Sequence, residues 1–340
     1  MAYLRIGSAQ RIGCPSVGER YTPGVVERLH ARARPLTYEK VMVRVPASTS
    51  NLGPGFDCLG VALRLYNDVI VTRGGKSRPV PITRAAADLF FQRTRCAPFS
   101  FSVSIKGDVP FSRGLGGSVT VRLGVLVALN FLTGNRLDRL SIFQLCAQLE
   151  RHPDNAAPAT FGGFTVVRQV SHLSRQTDLR PVDVNGAQLQ RFEVSPRLYF
   201  VLLIPDFEIK TSAARKILPR KISRVAAVES CQNACAITAA FASRAYRKLR
   251  GAFRDHLHEP YRKELVPFLP RVIAAAEKAG ALGAFLSGSG STICAVTLQD
   301  RDKVAAVMLR AARSTSARTI ITTADNTGAR ILYQTPVNNH

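Results

Sequence analysis

Residues 119–132 form a long apolar run, entered through Gly114, Gly116 and Gly117 and left at Gly134. The spacing predicts a helix, and a helix apolar on nearly every side has to be enclosed by other elements. Around it, the spacing predicts strands at 41–45, 59–63, 67–72, 99–105, 162–167, 197–204, 284–287, 292–297 and 319–322. Further helices are predicted at 81–96, 140–150, 211–217, 223–249, 266–279 and 304–312. Strands and helices mix in both halves without regular βα alternation. The fold class is therefore α+β.

A chain of 340 residues, 46% of them hydrophobic, has material for a sizeable core in one large or two ordinary domains. No apolar stretch approaches the roughly 20 residues of a membrane-spanning helix. The start of the chain lacks an apolar block with a small-residue cleavage site. A soluble cytoplasmic protein is expected, with no membrane partner. The seven cysteines lack a close-spaced framework and read as reduced thiols, Cys231 and Cys235 sharing one helix face. The net charge of +24 admits nucleic-acid binding, a coding bias toward Arg, or attraction of anionic small molecules. The basic residues are spread along the chain without aromatic interleaving, so nucleic acid is not expected as the main ligand.

Residues 1–38 mix Gly, Pro and Arg with weak periodicity and read as a poorly ordered extension. Met42 stands directly before the first patterned segment, and a natural start near it is expected. Domains are expected at 39–180 and 181–340, with the boundary in the polar stretch 171–190.

Three segments carry chemistry. Pro110-Phe111-Ser112-Arg113-Gly114-Leu115-Gly116-Gly117-Ser118 leads straight into the apolar helix. Its glycines let the main chain approach an oxyanion, which the helix start attracts through its N–H groups and dipole. It is neither a Walker A loop nor a clean dinucleotide fingerprint. Glu150-Arg151-His152-Pro153-Asp154-Asn155 packs two carboxylates, an imidazole and an amide into six residues at a helix end, where Glu150 suits a divalent cation. Residues 46–57 form a small-residue loop holding Asn51 and Asp57.

These segments, with Leu65-Tyr66-Asn67 and the turn over 286–292, occur in the order of the GHMP small-molecule kinases, which the chain resembles over residues 41–333. The long first motif and the segment His152-Pro153-Asp154-Asn155-Ala156-Ala157-Pro158 resemble the homoserine kinases among them. The resemblance implies a two-domain fold with ATP and substrate in the cleft between domains, the first domain being the ATP-binding one. It implies ATP-dependent phosphorylation of L-homoserine to O-phospho-L-homoserine, a step toward threonine, in an enzyme commonly dimeric. Pro110, Phe111, Ser112, Arg113, Gly114, Leu115, Gly116, Gly117, Ser118, Val119 and Thr120 would bind the ATP phosphates, with Ser118 and Glu150 holding Mg2+. Asn51, Asp57, His152, Asn155, Thr211, Arg215 and Arg262 would line the amino-acid site. An Asp pairs an ammonium and an Arg fork suits a carboxylate. Asp154 and Asn155 would orient the hydroxyl for direct in-line attack, since phosphoryl transfer asks mainly for alignment and charge neutralisation.

Three positions depart from the family pattern. Gly117 stands where Ser is usual, a loss worth about 1.5–3 kcal/mol if one hydrogen bond to a charged group disappears. Arg151 replaces a usual Gly, and Ser291 a usual Pro. The alternatives are another GHMP kinase acting on a different small alcohol, and a homologue impaired by Gly117.

Overall fold

A computed structural model describes residues 38–74, 80–168, 188–313 and 316–336. The expected extension, apart from residue 38, and the expected boundary at 180 lie outside these residues. The described residues make one compact unit.

Strands β1 (Tyr38–Ser50) and β2 (Leu59–Arg73) form a long antiparallel pair with one irregularity at Pro46/Ala47. Val41, Val43 and Val45 alternate into the core, as period-two patterning requires. A start at Met42 would delete the first residues of this strand. Two expectations change here. The runs at 59–63 and 67–72 are one strand, and residues 46–50, read as loop, continue β1. Their small side chains are buried because other backbone lies against them: Ser48 N donates to Leu115 O at 3.2 Å, and the Thr49 and Ser287 hydroxyls share a 2.8 Å hydrogen bond.

Helix α1 (Pro81–Thr94), β3 (Phe101–Gly107), α2 (Gly117–Leu132), α3 (Arg139–Glu150), α4 (Pro153–Phe161) and β4 (Phe164–Arg168) follow. Then come β5 (Gln188–Phe192), β6 (Tyr199–Ile204), α5 (Thr211–Lys216) and α6 (Arg224–Ala242). After a 3-10 turn at Tyr246–Leu249 come α7 (Glu259–Arg262), α8 (Leu269–Lys278), β7 (Gly283–Leu286) and β8 (Ile293–Thr297). Helix α9 (Arg301–Ala312), β9 (Arg318–Thr323) and β10 (Arg330–Pro336) close the series. One sheet runs β10-β1-β2-β4-β5, with β3 on the other half of β2, and the second runs β7-β8-β6-β9. The first sheet thus takes β5 and β10 from beyond residue 180.

Helix α2 buries 12 of its 16 residues between the first sheet and α1, α3 and α4. Phe90 and Phe143 are fully buried in this core, each worth about 1.5–3 kcal/mol. A second core joins Leu59, Val61 and Phe164 of the first sheet to Phe200 and Leu202 of β6 and Phe241 of α6. The opposite face of β6, Val201 and Leu203, packs with α8 and α9. Asp138 caps α3 by accepting from Ser141 N at 2.7 Å, a contact worth about 1 kcal/mol. Helix α6 ends at Ala242, short of the expected 249, where Arg244 takes a left-handed backbone. No helix among the described residues is long and apolar enough to cross a membrane.

Candidate active site

The loop between β3 and α2 opens on a cleft of about 440 Å³. Gly116, the residue before α2, has φ 68° and ψ 26°, a left-handed conformation natural to glycine. A Cβ there would strike Ser48 Oγ. The start of α2 has no side-chain cap and no acidic residue in its first turn. Its leading N–H groups lack partners within the helix, and the dipole favours an anion there. Gly117 is packed as closely. A Cβ on it would sit 2.6 Å from Pro110 O and 3.2 Å from Phe111 Cα, so the main chain of the loop fills the space a side chain would take.

At the second residue of α2, Ser118 Oγ donates to Glu150 Oε2 at 2.8 Å. Glu150 ends α3, and Arg122 Nη1 donates to its other oxygen at 2.7 Å. Burial raises the Glu150 pKa, opposed by the Arg122 cation and the Ser118 hydroxyl. Arg151 follows in a left-handed conformation (φ 63°) with its side chain exposed at the cleft. The expected phosphate-binding residues separate here. Phe111, Ser112, Gly114, Gly116, Gly117, Ser118 and Val119 line the cleft, whereas Pro110, Arg113, Leu115 and Thr120 do not. Arg113 reaches Pro205 O and Glu208, and Thr120 Oγ1 donates to Gly117 O at 2.8 Å.

At the other end of the cleft, Arg215 of α5 donates to Asp57 Oδ1 at 2.5 Å and to His152 Nδ1 at 3.0 Å. Burial, then the Arg215 charge, lowers the His152 pKa to about 4, so the ring is neutral at pH 7. Arg262 is buried under Phe56, with its guanidinium carbon 5.3 Å from the ring centre. Its Nη1 donates to Gly288 O at 2.9 Å, and burial brings its pKa down to about 10. His258 completes this clasp. Its Nε2 donates to Gly53 O at 2.9 Å, which leaves Nδ1 to accept from Arg262 Nη1 at 3.2 Å. Asn51 Nδ2 donates to Gly288 O at 2.9 Å and its Oδ1 accepts from Asp57 N at 3.1 Å, so Asn51 shapes the loop that presents Asp57. Thr211 Oγ1 lies 3.3 Å from Ser289 Oγ at the rim.

Between the two ends stands α4, an unforeseen helix that begins at Pro153, where proline's fixed φ suits a first turn. Asn155 has both amide atoms engaged: Oδ1 accepts from Ser48 Oγ at 2.9 Å, and Nδ2 donates to Ser50 Oγ at 2.8 Å. Asp154 is buried, and its Oδ1 has no hydrogen-bond partner among the described residues. Burial, reinforced by the Asp57 charge, raises its pKa to about 7. Of the two residues expected to face a substrate hydroxyl, Asp154 has the open acceptor. Arg122, Ser48, Ser50 and His258 were not foreseen. For Arg122 a signal existed, since it is the lone charge in an otherwise uncharged helix.

Known proteins share this chain's sequence pattern and fold. The family model of the GHMP kinases N terminal domain matches residues 81–163, and that of the GHMP kinases C terminal matches 237–314. The chain is 37% identical to a homoserine kinase of Deinococcus radiodurans over 275 residues, 77% of this chain and 84% of that one. It is 34% identical to a homoserine kinase of Carboxydothermus hydrogenoformans over 276 residues, 77% of this chain and 86% of that one. The crystal structure of homoserine kinase from Cytophaga hutchinsonii shares the fold, with a TM-score of 0.75 at 24% identity, covering 86% of this chain and 98% of that one. The chain belongs to the homoserine kinases, within the GHMP kinase family.

Proposed function

We propose that this chain transfers the terminal phosphoryl group of ATP to the side-chain hydroxyl of L-homoserine, giving O-phospho-L-homoserine. The observation that carries the reading is that the Ser118–Glu150 pair and the Asp57–Arg215 pair open on one cleft with Asp154. The start of α2 faces the phosphates, Asp57 takes the substrate ammonium, and Arg215 and Arg262 take the α-carboxylate. An isoprenoid alcohol offers no ammonium for Asp57. Asp154, with a pKa near neutrality, holds the hydroxyl through Oδ1 and accepts its proton as the new oxygen–phosphorus bond forms.

Ser118 Oγ and Glu150 Oε2 are a pair of hard oxygen donors suited to Mg2+, which when bound neutralises phosphate charge. The reading extends to a cytoplasmic location, which the six unpaired cysteines among the described residues suit, and to a homodimer, measured by sedimentation velocity. Gly117 does not favour the impaired alternative, because the loop backbone is packed to fit a glycine. An ADP-release assay with homoserine, mevalonate and water as acceptors tests the whole. Homoserine-dependent release is expected, and release with mevalonate alone would overturn the substrate assignment.

A further inference from the structure

Arg122 is the only charged residue of α2, one helical turn after Ser118. Its Nη1 donates to Glu150 Oε1 at 2.7 Å and to Leu149 O at 2.8 Å. Its Nε is buried with no hydrogen-bond partner among the described residues. Both Glu150 oxygens are therefore engaged, one by a fixed cation and one by Ser118. Four guanidinium groups (Arg122, Arg151, Arg215 and Arg262) line the cleft against three carboxyl groups (Asp57, Glu150 and Asp154). Among the described residues, no group of three or more His, Cys, Asp or Glu could hold a metal ion. A bare divalent cation would meet a carboxylate that already has its counter-ion, in a cleft with an excess of positive charge. A cation carried by a triphosphate brings its own anionic ligands and offsets that excess.

From this ion pair we infer that Arg122 makes the metal site conditional on nucleotide: it excludes free divalent cations from Glu150 and admits them only as a nucleotide complex. The inference rests on the proposed role of Glu150 as a metal ligand. Arg122 acts through Glu150, as a positioning and charge-compensating residue. It enters the site from the buried helix α2.

The test is Mn2+ binding by the full chain, followed by loss of the free-ion paramagnetic resonance signal, with and without ADP. Without ADP, the wild-type chain is expected to bind no Mn2+ at Glu150 below millimolar concentration. Arg122→Gln keeps a hydrogen bond and removes the charge, and Arg122→Met removes both. Each is expected to gain a nucleotide-independent site at least about tenfold tighter, which a second substitution, Glu150→Gln, abolishes. Arg122→Lys, which retains the charge, is expected to behave as wild type. If Arg122→Met does not fold, the Gln and Lys variants decide. Variants that bind Mn2+ no better than wild type would overturn the inference, as would Lys binding as tightly as Gln. A wild-type site at Glu150 occupied without ADP would do the same. Should Glu150→Gln leave Mn2+ binding with ADP unchanged, the assignment of Glu150 as metal ligand is the part that fails.

Discussion

Arg215 Nη2 donates to Asp57 Oδ1 at 2.5 Å, so the residues assigned to opposite ends of a zwitterion hold each other across the cleft. The pair presents the charges a bound amino acid would meet, already matched. Binding exchanges one ion pair for two.

Asp57→Asn should therefore raise the KM for homoserine about 10- to 100-fold, with a smaller change in kcat, because one charge-assisted contact worth about 1.5–3 kcal/mol is lost. Steady-state kinetics with homoserine varied at saturating ATP measure the split. An unchanged KM would remove Asp57 from the site.

Asp154 titrates near pH 7 because burial and Asp57 disfavour its charged form. The kcat should rise with pH through about 7, and Asp154→Asn should lower kcat by about 100- to 10,000-fold. Stability runs the opposite way. The folded protein binds this proton more tightly than the unfolded chain, so stability is highest below the ordinary carboxylate pKa and declines as pH rises through about 7. Asp154→Asn should remove that decline, so its Tm should exceed wild type at pH 8 and match it near pH 4.

Gly117→Ser restores the family's usual residue, yet its Cβ would lie 2.6 Å from a backbone carbonyl. The substitution should destabilise the chain by about 1–3 kcal/mol and leave the KM for ATP no lower than wild type. Thermal unfolding and ATP kinetics check both. A stable variant with tighter ATP would mean that Pro110 and Phe111 shift at little cost.

Arg151 holds a left-handed backbone that costs a residue with a Cβ about 1–2 kcal/mol. Arg151→Gly should recover about 1 kcal/mol, read as a rise in Tm, with the homoserine KM unchanged.

His258 is fully buried and its pKa falls to about 4, chiefly through burial. The unfolded chain takes up that proton first, so stability is fully present above pH 6.5 and is lost as pH falls toward 4. Denaturant titrations across this window should show a smaller loss for His258→Gln. Part remains, since His152 is lowered over the same range.

The parts of this protein readable in its residues are those where neighbours in the chain act together. The glycine loop before α2, the Glu150–Asn155 segment and α2 each concentrate their signal within at most 16 consecutive residues. Helix α4 escaped because Pro153 and Pro158 fall within nine residues and punctuate like a turn. Residues 46–50 escaped because small polar side chains usually mark loops, whereas here they make room for Leu115 and Ser287. Strand β5, with exposed Gln188 and Gln190, lacks the apolar alternation that announces a strand. Arg122, Ser48 and His258 owe their roles to partners brought close only by folding, such as Glu150, Asn155 and Gly53.

The pairing of β10 with β1 has a consequence for how the chain is made. A ribosome that has released α1 to α4 has supplied the helices of the first core, but the outer edge of β1 stays bare until Arg330–Pro336 emerges. Loop closure over such a separation is slow, and an unpaired edge is a template for other strands. The growing polypeptide thus carries an open flank through most of its synthesis, which chaperone shielding during translation would cover.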